Sequence, residues 1–229
     1  MSTPGAPSGP PPSYEETVGS GSGSADLYPR LPETKKEEKD PKKNGPINDD
    51  ASGIELIVKA TDFAARRHRM QRRKDPHQTP YINHPVGVAY ILTNEAKITD
   101  PIILAAAILH DTVEDTKTTH EELLEVFGKE VATIVAECTD DKSQPTAVRK
   151  QAQIDNGASH SRHAKIVHLA DKLYNLRDLE RVAPIGWDRK RIREYANWSR
   201  KVLEQLTGAH PGLEQSVAEV IDRLLIKYA

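Results

Sequence analysis

The segment that most constrains the fold is an apolar run that ends abruptly in ionisable residues. Residues 102–109 read IILAAAIL, and the next six residues, HDTVED, carry four ionisable groups. Asp100 can cap a helix here, and Pro101 suits the first turn of that helix. A helix that is apolar on all sides is normally buried, so we expect this one at the centre of the domain. Its polar end is then costly unless a partner such as a metal ion pairs with it.

Helical periodicity extends over residues 54 to 225, and no stretch alternates with a period of two between turns. We therefore predict an all-α fold. The caps Thr119, Glu122 and Gly128 predict one helix with a capping box at its start and a glycine at its end. One further helix is predicted to begin at His84. The other predicted helices span residues 54–70, 129–139, 164–181, 188–206 and 212–227.

The composition of the chain changes near residue 50. Of the first 50 residues, 21 are Pro, Gly or Ser and nine are hydrophobic, too few to offset the entropy of ordering that segment. We predict a disordered tail over residues 1–50 and one domain over residues 51–229. Within the tail, Pro11, Pro12 and Tyr14 form the PPxY pattern that WW domains bind, so a WW-domain protein is a candidate partner.

Charge and cysteine content restrict the possible partners. The formal net charge is −2 over 229 residues, so the chain as a whole does not resemble a nucleic-acid-binding protein. Cys138 is the only cysteine, which excludes an internal disulfide and a four-sulfur zinc site and fits a reducing compartment. The first residues lack the pattern of a signal peptide, and no apolar run approaches membrane-spanning length. We expect a cytoplasmic protein that binds neither membrane nor nucleic acid.

The HDTVED segment is the strongest local signal of chemistry. An imidazole nitrogen from His110 and a carboxylate oxygen from Asp111 form a mixed donor set that suits manganese, iron or zinc. If the helix continues, Glu114 and Asp115 lie one turn after Asp111 on the same face, where they can orient and deprotonate an attacking water. The alternative is an acidic, solvated helix end with a chance histidine.

Two further segments supply candidate ligands. His84 lies in TPYINHPVG at the predicted entrance of a helix, and Asp171 lies in the otherwise apolar stretch KIVHLADKLYNLRDL. The structural alternatives are a hydrogen-bonded turn histidine and an aspartate paired with Lys172 or Arg177. His168, three residues before Asp171, could support a second metal, but we predict a single-metal site.

The order His, His-Asp, Asp on three helical segments resembles the HD phosphohydrolase superfamily. The blocks RRKDPHQTPYINHP, ILHDTVEDT and LADKLYNLRDL resemble the hydrolase domain of RelA/SpoT-type alarmone enzymes, in particular the small animal-type group that consists of the hydrolase alone. The resemblance extends from about residue 54 to the C-terminus and implies an HD-domain helical bundle. The folded part leaves no room for an alarmone synthetase domain.

This resemblance assigns roles to individual residues. It implies one Mn²⁺ per chain, water activation by Glu114 and Asp115, and the metal ligands His84, His110, Asp111 and Asp171. It also implies substrate contacts from Arg73, Lys74, Asn175, Arg191 and Tyr195. The cluster Arg72-Arg73-Lys74 suits an anionic phosphate on its own chemistry, although a solvated basic loop is the alternative.

The sequence departs from the resemblance at one position. A lysine is expected near Thr146, in the loop after TDDK, and the candidates to compensate for it are Lys142, Arg149 and Lys150. The implied reaction is metal-assisted hydrolysis of guanosine tetra- or pentaphosphate (ppGpp) at the 3′ position to release pyrophosphate. For animal-type members it also includes removal of the 2′-phosphate from NADPH. The alternatives are a general HD nucleotidase and a binding protein with a degraded pocket that recruits WW-domain partners through the tail.

Overall fold

The computed structural model describes residues 49–229, and for residues 49–51 only the backbone. Apart from one isolated bridge, the described residues contain no strand, so the predicted all-α fold is confirmed. The helices are α1 (Asp49–Arg67), α2 (Asn83–Asn94), α3 (Pro101–Leu109), α4 (Thr112–Asp115), α5 (His120–Phe127), α6 (Lys129–Cys138), α7 (Thr146–Gly157), α8 (Arg162–Arg181), α9 (Arg189–Gln205) and α10 (Pro211–Lys227). The motif at Pro11, Pro12 and Tyr14 lies outside the described residues.

Helix α3 forms the centre of the domain, as predicted. Residues 103–109 are all buried, and α3 packs against α1, α2, α6 and α8. At its start, the side chain of Asp100 accepts a 2.8 Å hydrogen bond from the backbone nitrogen of Ile102. Because the helix is buried along its length, the residues that follow Leu109 begin in the interior of the domain. None of the described helices has both the length and the apolar character needed to cross a membrane.

Helix α8 is the second long buried element. Its N-cap is Ser161, and its inner face contributes buried residues from Ala164 to Leu179. It packs against α2, α3, α6, α9 and α10. The inner face of α8 therefore brings its polar residues, including Asp171, against the end of α3.

The helix between Thr119 and Gly128 has the predicted ends. Thr119 accepts from the backbone nitrogen of Glu122, and Gly128 adopts the left-handed φ of 84° that joins α5 to α6. The carboxylate of Glu122 bonds to Arg67, a residue distant in sequence. The cap was therefore readable from the sequence, but the tertiary partner of its glutamate was not.

Two helix assignments differ from the sequence prediction. Helix α1 spans residues 49–67 instead of 54–70, because the chain turns at the buried His68. Helix α7 was not predicted, since it is largely polar and Gly157 is its only fully buried residue among those described. Thr146 is consequently the first residue of a helix and not part of a loop, and its side chain is exposed.

Candidate active site

The four predicted metal ligands converge in the interior of the domain. Nε2 of His84 lies 3.1 Å from Oδ1 of Asp171 and 3.3 Å from Oδ2 of Asp111. Nε2 of His110 lies 3.0 Å from Oδ2 of Asp111 and 3.7 Å from Oδ1 of Asp171. The two imidazoles are 1% and 5% exposed, and the two carboxylates are 18% and 15% exposed. The side chains therefore surround one small volume that opens on the carboxylate side.

The local geometry around His110 fits a divalent ion. Nδ1 of His110 lies 2.7 Å from the carbonyl oxygen of Ala107, to which it can donate, so that Nε2 is the nitrogen that faces the two carboxylates. This Nε2 is buried and has no hydrogen-bond partner among the described residues, despite its closeness to Asp111. A buried polar atom without a partner is costly, and a metal ion would satisfy it. One donor atom each from His84, His110 and Asp111 lies within 4.8 Å of the others.

The charges of these groups are strongly coupled. Burial opposes a charge on His110, but the carboxylates of Asp111 and Asp171 together outweigh it and raise the pKa of His110 well above 6.5. Burial would raise the pKa of Asp111, yet His110 and His84 hold it well below its usual value. The cluster thus keeps anionic oxygens in the interior, as a cation site requires.

Further side chains orient the carboxylates. The hydroxyl of Tyr81 donates a 2.6 Å hydrogen bond to Oδ2 of Asp111, and Nδ2 of Asn175 donates a 2.6 Å bond to Oδ1 of Asp171. Nζ of Lys172 lies 3.4 Å from the other oxygen of Asp171. Tyr81 was not among the predicted site residues, although its position three residues before His84 in the TPYINHP block is a usable signal.

Glu114 and Asp115 lie one helical turn beyond Asp111, as expected. The backbone nitrogen of Asp115 bonds to the carbonyl of Asp111 at 2.9 Å, so the turn is helical although α3 itself ends at Leu109. Oε2 of Glu114 accepts from the backbone nitrogen of Asp140. Oδ2 of Asp115 accepts a 2.7 Å bond from Nε2 of Gln71, a residue that was not among the predicted site residues.

Two cations lie beside the carboxylates of Glu114 and Asp115, and the pKa of Glu114 is shifted. Lys142 bonds to Asp115, and the guanidinium of Arg149 lies 3.6 Å from Oε1 of Glu114. Burial, followed by the charges of Asp111, Asp140 and Asp115, raises the pKa of Glu114 to about 7. A carboxyl group with this pKa can accept and return a proton near neutral pH.

The segment of residues 68–82 forms a closed loop beside this cluster. The backbone nitrogen of Arg73 bonds to the carbonyl of Thr79 at 2.8 Å, and that of Tyr81 bonds to Gln71 at 3.1 Å. The guanidinium of Arg73 is held by its own bonds, since NH2 donates to Oδ1 of Asn175 and to Oδ2 of Asp178, both at 2.7 Å. The loop therefore presents a held cation toward the metal ligands.

A cavity of about 780 Å³ lies between this loop, α8 and the segment before α9. Of the predicted substrate residues, Arg73, Lys74, Asn175 and Tyr195 line it. Arg191 does not line it. Its guanidinium packs over the ring of Trp187, which does, at 4.6 Å. The lining combines five cations, four aromatic rings and three carboxylates: Arg72, Arg73, Lys74, Lys142, Arg181, Tyr81, Tyr174, Trp187, Tyr195, Asp75, Asp115 and Asp178.

The structure separates the three candidate replacements for the missing lysine. Lys142 lines the cavity, and Arg149 lies against Glu114. Lys150 instead packs over the ring of Trp198 at 4.9 Å. Lys142 therefore places a positive charge directly in the cavity wall that Thr146 does not reach.

His168, the candidate for a second metal, has another environment. Its Nε2 lies 3.2 Å from the carbonyl oxygen of Glu137, and its ring stacks on His160 with the centroids 5.2 Å apart. Burial, reinforced by Lys172, lowers its pKa to about 3. Within the described part of the chain, His168 is outside the cluster of metal donors.

Comparison with known proteins agrees with this geometry. A family model described as HD domain matches residues 60–207. The mouse (Mus musculus) protein guanosine-3′,5′-bis(diphosphate) 3′-pyrophosphohydrolase MESH1 is 52% identical over 166 residues, which are 72% of this chain and 93% of that protein. A solved structure described as a metazoan ortholog of SpoT that hydrolyzes ppGpp gives a TM-score of 0.72 and 45% identity, and covers 73% of this chain and 94% of that chain.

A more distant relative connects the chain to larger enzymes. GTP pyrophosphokinase rsh of Brucella melitensis biotype 1 is 36% identical over 179 residues, which are 76% of this chain and 22% of that protein. The residues that match the family model include every predicted metal ligand. The chain belongs to the HD-domain hydrolase family, within the RelA/SpoT-type group that includes the MESH1 proteins.

Proposed function

We propose that this chain is a metal-dependent 3′-pyrophosphohydrolase of guanosine tetra- and pentaphosphate. The observation that carries the proposal is the convergence of His84, His110, Asp111 and Asp171 beside a cavity. Tyr81 and Asn175, which bond to the two aspartates, line that cavity together with several cations. The mouse relative, 93% of whose length is matched by this chain, is named for hydrolysis of guanosine-3′,5′-bis(diphosphate). Its name therefore supports the same substrate for this chain.

The four converging side chains would hold one Mn²⁺. Two imidazole nitrogens and two carboxylate oxygens are a donor set that this ion accepts, and other divalent ions compete for it. A divalent ion bound here supplies polarisation of a phosphoryl oxygen and acidification of water. Tyr81 and Asn175 keep the carboxylate oxygens in place for that ion.

The proton chemistry falls to Glu114 and Asp115. Glu114, whose pKa is raised by burial and by its acidic neighbours, accepts the proton of the attacking water, and Asp115, held by Gln71 and Lys142, orients that water. The water oxygen bonds to the phosphorus next to the ribose while the bond from that phosphorus to the 3′ oxygen breaks. Pyrophosphate leaves, and the 3′ oxygen takes up a proton.

The cavity wall suits the rest of the nucleotide. Arg73, Lys74 and Lys142 are positioned to bind phosphate groups, and Arg73 is already oriented by its bonds to Asn175 and Asp178. The rings of Trp187 and Tyr195, 5.6 Å apart, provide aromatic surface for a base.

NADPH is a second candidate substrate, through loss of its 2′-phosphate. Both substrates carry phosphate on a nucleoside ribose, and a cavity of about 780 Å³ is within the size range of nucleotide and drug-sized ligand sites. A cytoplasmic location and a WW-domain partner remain predictions from the sequence.

One assay separates these possibilities. Purified chain with Mn²⁺ is given ppGpp, NADPH, GTP and ATP in parallel, and pyrophosphate and phosphate release are measured separately. We expect pyrophosphate from ppGpp and little release from GTP or ATP. Comparable hydrolysis of all four would indicate a general nucleotidase, and binding without turnover would indicate a degraded site.

A further inference from the structure

His68 is a buried histidine to which the proposed reaction assigns no task. It follows α1 directly and is 2% exposed. Its Nδ1 lies 2.7 Å from Oε1 of Gln71, and its ring packs on Tyr81 with the centroids 4.8 Å apart. Gln71 and Tyr81 are the residues that contact Asp115 and Asp111, so His68 lies directly behind both carboxylates.

The hydrogen bonds of Gln71 determine which nitrogen of His68 carries the proton. Nε2 of Gln71 donates to Oδ2 of Asp115 at 2.7 Å, so its Oε1 is the end that faces His68 and must accept. Burial lowers the pKa of His68, which leaves the ring neutral with a single N–H. That N–H is assigned to Nδ1, because the bond to an amide oxygen requires a donor there.

A purely space-filling role explains this residue poorly. Nε2 of His68 is buried and has no hydrogen-bond partner in the described part of the chain. An unsatisfied buried polar atom costs free energy, which an apolar ring of similar shape would avoid. The bond from Nδ1 to Gln71 is the feature that only the imidazole supplies.

We propose that His68 is a positioning residue that acts through Gln71 on Asp115. Its Nδ1–H fixes the amide of Gln71 in the one orientation that directs the Gln71 N–H toward Asp115. A rotated amide would present an oxygen to the carboxylate and repel it. The inference rests on the proposed function, in which Asp115 orients the attacking water.

Three substitutions separate the donor from the ring. In His68→Asn the amide nitrogen stands close to the position of Nδ1, so the donor is kept. In His68→Phe the ring and its packing on Tyr81 are kept, but the donor is lost. Gln71→Met removes the bridging amide, and His168→Phe is the matched control for loss of a buried histidine elsewhere on the same domain.

The measurements are kcat and KM for ppGpp, bound manganese and melting temperature of each full-length variant. We expect His68→Phe and Gln71→Met each to lower kcat by about 10- to 100-fold, the range typical of residues that orient a catalytic group. KM and metal content should stay within about threefold of wild type, and His68→Asn should retain kcat within about threefold. The double variant should lose no more than either single variant, because both interrupt one chain of contacts.

A second readout does not depend on activity. In protein labelled with ¹⁵N at histidine, the nitrogen chemical shifts should show His68 as the Nδ1–H tautomer, and Gln71→Met should abolish that preference. The Nε2–H tautomer in wild type would overturn the proposal.

The remaining outcomes distinguish failure of the proposed function from failure of the role proposed for His68. Wild-type chain without ppGpp turnover would overturn the proposed function and this inference with it. Normal wild-type turnover with unchanged kcat in His68→Phe would overturn the inference alone. Equal loss of kcat in His68→Asn and His68→Phe, or in His168→Phe, would show that the imidazole serves only to stabilise the fold.

Discussion

Gly87 and Tyr174 pack so closely that a Cβ at residue 87 would lie 2.1 Å from the ring atom Cε2 of Tyr174. The contact joins α2 to α8 just after His84, whose imidazole lies 5.0 Å from the same ring. The guanidinium of Arg73 lies 5.8 Å from that ring. The absence of a side chain at residue 87 thus allows one tyrosine to contact both His84, the proposed metal ligand, and Arg73, the proposed phosphate-binding residue.

We expect Gly87→Ala to displace Tyr174 and destabilise the domain. Overpacking at a tight contact typically costs about 1–3 kcal/mol, and the shifted ring should also raise KM for ppGpp. Urea denaturation and steady-state kinetics would measure the two effects. Gly212→Ala is the control, because its Cβ would meet the nearest atom at an ordinary 3.4 Å. Equal stability of the two variants would contradict the close packing described here.

Removal of either a histidine or an aspartate ligand should empty the metal site. His84→Ala and Asp111→Ala each delete a donor from a buried cluster, so bound manganese and ppGpp turnover should fall to background. Elemental analysis beside an activity assay tests both. Asp141→Ala changes an exposed acidic residue that is not one of the four donors, and this variant should bind manganese normally. Activity within a few-fold of wild type in either ligand variant would refute the assignment.

Glu114→Ala should separate metal binding from catalysis. We expect it to keep manganese and to bind nucleotide, yet to lose roughly a hundredfold or more in turnover, as for removal of a general base. Elemental analysis of bound manganese and steady-state kinetics on the same preparation measure the two effects separately. Loss of the metal would make Glu114 a ligand, and a change in KM alone would exclude a role in water activation.

The raised pKa of Glu114 predicts a sign for its effect on stability. Its pKa in the folded, metal-free protein is about 7, above the 4.5 of an unperturbed glutamate. Folding therefore favours the protonated form, and the stability that this gives is present below pH 4.5 and lost as the pH rises through 7. Metal-free Glu114→Gln should consequently melt higher than wild type at pH 8 and at about the same temperature at pH 4.5. A difference that is the same at both pH values would show that titration of Glu114 is not its cause.

Lys74 and Arg73 should act on substrate affinity more than on turnover. Both carry charge that contacts phosphate before reaction, so Lys74→Ala and Arg73→Ala should raise KM about tenfold or more and lower kcat less. Kinetics with ppGpp tests this, with exposed Lys129→Ala as the control. Arg73→Ala also removes one of the two cations that pair with Asp178 and the bond to Asn175, so its melting temperature should fall further than that of Lys74→Ala. A fall in kcat at constant KM would show instead that these residues interact with the substrate mainly in the transition state.

Local signals explain why much of the fold was predictable. The caps Asp100, Thr119 and Gly128 act within one turn of the chain, and the apolar run of α3 has only one stable environment. Helix α7 escaped prediction because it is held mainly by partly buried contacts to α9, which leave little apolar periodicity. Whether the residues before Asp49 are disordered stays a prediction from composition.

The site was predictable where chemistry coincides with short sequence blocks. His110 and Asp111 adjoin each other in sequence, and their positions imply the other two donors only by resemblance. Gln71 and His68 could not be identified as site residues from the sequence, because glutamine and histidine near a helix end have many roles. Their role follows only from the approach of the loop of residues 68–82 to α4. Arg191 was placed on the cavity by resemblance, whereas its guanidinium packs on Trp187.

The proposed metal donors and the cavity wall belong to different parts of the fold, which affects how substrate preference can change in such a chain. Two of the proposed metal donors follow the buried helix α3. Much of the cavity wall is built by residues 68–82 and by the segment before α9, which are joined by the bond from the backbone nitrogen of Ile185 to the carbonyl of Lys74. Insertions and replacements in those two surface segments can change nucleotide preference while the ion-binding scaffold is inherited intact. A laboratory search for new substrates would therefore randomise these segments, except for His68, Gln71 and Tyr81, and would leave the end of α3 untouched.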